Sequence, residues 1–188
     1  MINTDIKETL SALKKGKIIL YPTDTIWGIG CDATNAEAIN RIYQLKQRDD
    51  SKSMIILTAE NRDVLKYTAS PHPEIFNILE NATKPTTIIY ENALGLPENL
   101  INADGSIAIR VVQEPFCKAL IKRLGHPIVS TSANISGQPP APFFSAISRE
   151  IKEGVEYIVQ YRQEDETPAS PSRIIKLKNN GEVDIIRE

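Results

Sequence analysis

Three stretches of the chain concentrate side chains able to do chemistry. Tyr21-Pro22-Thr23-Asp24-Thr25-Ile26-Trp27-Gly28-Ile29-Gly30 sets hydroxyls, a carboxylate, an aromatic ring and two glycines after the run Lys17-Ile18-Ile19-Leu20. Lys46-Gln47-Arg48-Asp49-Asp50-Ser51-Lys52 places three cations within seven residues. Ser130-Thr131-Ser132-Ala133-Asn134-Ile135-Ser136-Gly137 gathers five small polar side chains behind the apolar Pro127-Ile128-Val129. Hydroxyls and amides hydrogen-bond oxygens and nitrogens of a ligand, Arg grips carboxylate or phosphate with two donors, and Lys acts as a point charge. Together these types suit recognition of a polar, anionic ligand. Each stretch also has a plain structural reading: a polar strand-to-helix turn, cations at a helix C-terminus, and ordinary turn residues.

No Ser-His-Asp or Cys-His arrangement stands out. His72 and His126 are too few and too scattered for a zinc site, so no protein metal ligands are expected. Cys31 and Cys117 cannot build a disulfide framework, which points to reduced thiols, with Cys31 a small buried side chain. Asp24 and Asp32 read as capping or turn residues, or as metal contacts through water; Trp27 reads as core packing, or as a ring for a base to stack on.

The 188 residues are 41% hydrophobic and 24% charged, the balance of a soluble globular protein, and one domain over 1–188 is expected. No apolar run reaches membrane-spanning length, and the start, Met1 to Glu8, lacks a signal-peptide core, so a cytoplasmic location away from membranes is expected. Net charge is −2, whereas a protein devoted to nucleic-acid phosphates carries an excess of Lys and Arg. Any basic site must be local. Arg41, Lys46, Arg48 and Lys52 outnumber Asp49 and Asp50 by two in one such place.

The elements that position these residues follow from periodicity. Ile6, Leu10 and Leu13 mark a helix over about 5–15, stopped by Gly16. A strand over 17–21 leads into the first polar loop, and a helix over 36–47 follows with Asn35 as its cap. Further strands are predicted at 54–57, 86–90, 106–112, 127–129, 172–177 and 183–187, with an extended stretch at 155–161. Helical patterns lie at 62–67, 74–79, 116–124 and 143–152. In Ser106 to Val112 the alternation sets Arg110 beside Ser106 and Ala108 on one face, where it can reach an anion or pair with a nearby acid. Asn179-Asn180-Gly181 signals a terminal hairpin. Alternating helices and strands with such a hairpin predict an α/β fold, a mixed parallel and antiparallel sheet with helices packed on it.

Laid in order, the Tyr21–Gly30 segment, Lys46-Gln47-Arg48 with Lys52, the strand ending in Arg110, and Ser130–Gly137 resemble the YrdC/TsaC family, short members without a second C-terminal domain. The resemblance implies a single-domain, twisted YrdC-like α/β fold over a concave, positively charged cavity. It also implies synthesis of threonylcarbamoyl-AMP and pyrophosphate from L-threonine, bicarbonate or CO2, and ATP, with Mg2+ carried on the ATP phosphates. The product feeds threonylcarbamoyladenosine modification of tRNA, so the implied partners are a downstream tRNA threonylcarbamoyl transferase machinery and, weakly, tRNA. By motif position Thr25, Arg110, Ser130 and Ser172 would hold threonine, and Arg48, Lys52, Ser106, Ser132, Asn134 and Arg187 would hold ATP. Lys46 and Arg48 would be catalytic, Lys46 by stabilising charge near the reacting phosphate. The chain departs from the family pattern at Asp49, Ser53, Ala82-Thr83-Lys84-Pro85 and Arg173. Two other readings stand beside this one: an RNA-binding module of the same fold, and a carbamoyl-adenylate enzyme using carbamoyl phosphate.

Overall fold

A computed structural model describes residues 2–47, 54–178 and 180–188. Arg48 and Lys52 therefore lie outside the described residues. In chain order the elements are α1 (Ile2–Lys14), β1 (Ile19–Tyr21), β2 (Gly28–Gly30), α2 (Ala36–Leu45), β3 (Ile55–Thr58), α3 (Glu74–Glu80), β4 (Thr86–Tyr90), β5 (Ile107–Val111), α4 (Pro115–Leu124), β6 (Ile128–Ser132), α5 (Arg149–Gly154), β7 (Tyr157–Ile158), β8 (Arg173–Leu177) and β9 (Val183–Arg187). The described strands join one mixed sheet in the order β7-β1-β2-β6-β3-β5-β4-β8-β9. Three pairs are parallel, β1 with β7, β3 with β5 and β4 with β8, and the other five are antiparallel.

Alternation along the strands divides the core in two. Leu20, Ile29, Ile56, Ile109 and Val129 pack with α2 and α5 on one face, whereas Ile19, Tyr21, Leu57, Val112 and Ile128 pack with α1 and α4 on the other. Each such Ile or Leu, fully buried, contributes about 1.5–3 kcal/mol. The helices end where their caps dictate. Asn35 Oδ1 accepts from Ala38 N at 3.0 Å to start α2. Glu114 caps α4, with Pro115 in its first turn, and Gly125 closes it at φ 79°.

Four expectations need correction. The first polar loop contains strand β2, although two of its three residues are glycines. A Cβ built on Gly30 would lie 2.2 Å from Val129 O and 2.7 Å from Tyr21 Cε1. Glycine serves there for close strand approach under the Tyr21 ring, not for a sharp turn. Ser130, Thr131 and Ser132 belong to β6 rather than to a loop, because β6 pairs with both β2 and β3. The helix expected over 143–152 splits into a 3-10 turn, Phe144–Ala146, and α5, because Ile147 is extended and the Ser148 Oγ starts a new helix by accepting from Ile151 N. The pattern at 62–67 forms a 3-10 turn, Asn61–Lys66.

Candidate active site

Strand register lays out the site. Residues paired across neighbouring strands share a face, so Leu57, Arg110, Thr87, Ile174 and Arg187 form one row across β3, β5, β4, β8 and β9. Ser130, Ile55, Ala108 and Ile89 form the next. Helices α1 and α4 cover part of this face, and the remainder opens into a cleft of about 600 Å3.

Most sequence-predicted residues that are described meet there. Thr25, Arg110, Ser130, Ser132, Asn134, Ser172 and Arg187 all line the cleft. Arg110 is 3% exposed, with Nη2 3.3 Å from Asp24 Oδ1 and 3.4 Å from Thr23 Oγ1. Its Nε is buried without a hydrogen-bond partner. Arg187 donates to Ser172 O through Nε at 3.0 Å and Nη2 at 2.7 Å, which fixes its guanidinium beside the Ser172 hydroxyl, itself 2.7 Å from Thr87 Oγ1. Burial, and then the like charge of Arg110, push the Arg187 guanidinium below the ordinary arginine range, although it stays protonated at neutral pH. Two guanidiniums thus stand at the cleft floor, with the Asp24 carboxylate beside that of Arg110.

Two predicted residues stand behind the wall instead. Lys46 is 1% exposed, and its Nζ donates to the carbonyls of Ser132 and Asn134, so the ammonium anchors the exit of β6. Ser106 is buried and donates to Asp104 Oδ1 from both N and Oγ, at 3.0 and 2.6 Å, while Asn102, which donates to Ser106 Oγ, reaches the cleft. Asp24 has a role not read from the sequence. Its Oδ2 accepts from Gln113 N at 2.8 Å while Oδ1 faces Arg110, so it joins the first polar loop to the end of β5. Trp27 packs in the core, 5% exposed with its ring 4.8 Å from that of Phe144, and it also lines the cleft. Asp32 makes a turn, accepting from Thr34 N and Oγ1.

Asn134 donates through Nδ2 to Ile135 O and Gln138 O, which leaves its Oδ1 buried and unpartnered at the cleft wall. That oxygen fits a ligand donor or a hard cation. No group of three His, Cys, Asp or Glu residues arranged for a metal occurs among the described residues. Nor is any helix among them long and apolar enough to cross a membrane. A second cavity, of about 350 Å3, between Thr58 and His126 contains none of the predicted site residues.

Known proteins share the family and the fold of this chain. The Sua5/YciO/YrdC family model, described as telomere recombination, matches residues 11–188. The chain belongs to this family. A threonylcarbamoyl-AMP synthase of Idiomarina loihiensis is 35% identical over 173 residues, which cover 90% of this chain and 91% of the relative. In fold, E. coli YciO superposes with a TM-score of 0.86 at 23% identity, covering all of this chain and 90% of YciO. P. abyssi Sua5, solved with L-threonine, superposes with a TM-score of 0.81 at 22% identity over 92% of this chain. The chain spans half the length of that Sua5.

Proposed function

We propose that the chain is a threonylcarbamoyl-AMP synthase, a nucleotidyltransferase that uses L-threonine, bicarbonate or CO2, and ATP. The observation that carries this reading is the pair of cleft-lining arginines, Arg110 and Arg187, in one row of the sheet among the hydroxyls of Thr25, Ser130, Ser132 and Ser172. The names of the relatives support it over an RNA-binding role.

The chemistry asks for this kind of surface. The threonine amine attacks CO2, forming an N–C bond and losing a proton to give a carbamate. A carbamate oxygen then forms a bond to the α-phosphorus of ATP while the bond to pyrophosphate breaks. Both reactants are anionic, so alignment and cationic donors contribute more than an acid–base pair. Arg110 pairs with the threonine carboxylate, and Thr25, Ser130 and Ser172 orient its remaining polar groups. Arg187, Ser132 and Asn134 hold the nucleotide, joined by Arg48 and Lys52 by motif position. Lys46 acts through β6, holding Ser132 and Asn134 in place and adding positive charge behind them. Mg2+ bound through the ATP phosphates would neutralise their charge, and Asn134 Oδ1, buried and unpartnered at the cleft wall, would be an oxygen ligand of this chain for it. The adenylate product then passes to a tRNA-modifying transferase.

The test is pyrophosphate release from ATP with Mg2+ and bicarbonate, with and without L-threonine, on wild type, Lys46→Ala and Arg187→Ala. Release that requires both threonine and bicarbonate and collapses in the variants is expected. Release indifferent to threonine, with variants matching wild type, rejects the reading.

A further inference from the structure

Arg162 is one of four non-glycine residues with positive φ among the described residues, at 65°. An L side chain is strained there and glycine is not, so a long side chain at such a place directs attention to its far end. The guanidinium of Arg162 joins three segments. Nη1 donates to Thr23 O at 3.0 Å and to Glu114 Oε2 at 2.9 Å. Nε and Nη2 donate to Asp165 Oδ2 at 3.1 and 2.9 Å.

These contacts close a circuit around the back of the cleft. Thr23 Oγ1 accepts from Thr25 N and lies beside Arg110 Nη2. Arg110 faces Asp24, Asp24 holds Gln113 N, and the next residue is Glu114, which Arg162 binds. On its other side Asp165 Oδ1 accepts from Thr167 N, within the strap that carries the chain from β7 across to β8. The strap is tied down again where Glu166 accepts from Ser145 and Ala169 N donates to Pro142 O, and it ends at Pro171 and Ser172 in the cleft.

We propose that Arg162 is a positioning residue for substrate recognition, fixing the spacing between Thr25 on the first polar loop and Ser172 at the end of the strap. The part concerning threonine rests on the synthase reading above. Arg162 does not line the cleft and so acts only through the groups it holds. Lysine cannot replace it, because one ammonium does not reproduce a planar fork that binds acceptors on three segments.

Arg162→Gly tests this directly, since it removes the guanidinium while relieving the backbone, and Arg162→Lys keeps only the charge. Pyrophosphate release gives KM for each substrate, calorimetry gives threonine affinity, and amide hydrogen exchange reads Thr23–Ile26 and 167–172. For Arg162→Gly the expected result is a KM for threonine raised about 10- to 100-fold, as displaced positioning groups produce. KM for ATP stays unchanged, the melting temperature falls because the buried Glu114 loses its cation, and exchange quickens in both segments together. Arg162→Lys falls between it and wild type, and carries the same test if the glycine variant does not fold. An unchanged threonine KM, or equal rises for both substrates, overturns the proposal. If the wild type releases no pyrophosphate, the synthase reading fails and exchange alone decides: joint loss of protection upholds the clamp, and unchanged protection in both segments overturns it.

Discussion

At the scale of single residues, the pairing of Arg110 with Asp24 governs what the cleft accepts. Arg110 is buried, its Nε has no partner, and Asp24 sits close enough to balance its charge. Asp24→Asn removes that balance and leaves a buried cation, so urea unfolding should show a stability loss of about 3 kcal/mol. Saturating L-threonine should return part of the loss, because a ligand carboxylate supplies the missing charge. The alternation of Ser106 to Val112 told which face Arg110 would take. It left open whether Arg110 met an acid or a ligand, and the structure places Asp24 beside it with Nε still free for more. That pairing was not legible because Asp24 and β5 meet only through the fold, and a short carboxylate in a polar loop has many local uses.

At the scale of elements, the β1–β2–β6 seam depends on the absence of side chains. Gly30→Ala drives a methyl into Val129 O and the Tyr21 ring, and should cost at least about 3 kcal/mol or abolish soluble folding. Gly28→Ala is tight only against the Ser130 hydroxyl at 3.0 Å, with Tyr21 Cε1 and Thr131 O at ordinary contact of 3.5 and 3.6 Å, so it should fold and show weaker threonine binding by calorimetry. The same seam explains what sequence patterns missed. A strand of Gly-Ile-Gly carries no β-propensity signal, and Ser-Thr-Ser reads as turn chemistry until a partner strand on each side is known. Where side-chain periodicity was strong, as in β4, β5 and α4, boundaries came within a residue or two.

At the scale of the molecule, the strap from β7 to β8 binds distant parts of the sheet, and its hold has a defined pH range. Hydrogen bonds from Thr167, with Arg162 adding to them, lower the Asp165 carboxyl from 3.8 to about 2. A carboxylate lowered on folding contributes fully above its ordinary pKa and loses that contribution as pH falls through the lowered one. The strap contact at Asp165 should therefore persist down to about pH 4 and release between pH 3.8 and about 2, which a titration of the Asp165 carboxyl carbon by NMR will follow.

The row that holds Arg110 and Arg187 also makes the sheet a mount for both. Those two residues are set by three strand-to-strand steps, so their backbones are about 14 Å apart at the usual spacing of sheets. No loop adjustment alters that interval without breaking a ladder. The guanidiniums reach inward from those backbones and lie close enough for the charge of one to act on the other, so an anion set between them meets both. The cleft thus focuses two cations from widely spaced strands on one place, and the ladders between them hold that focus.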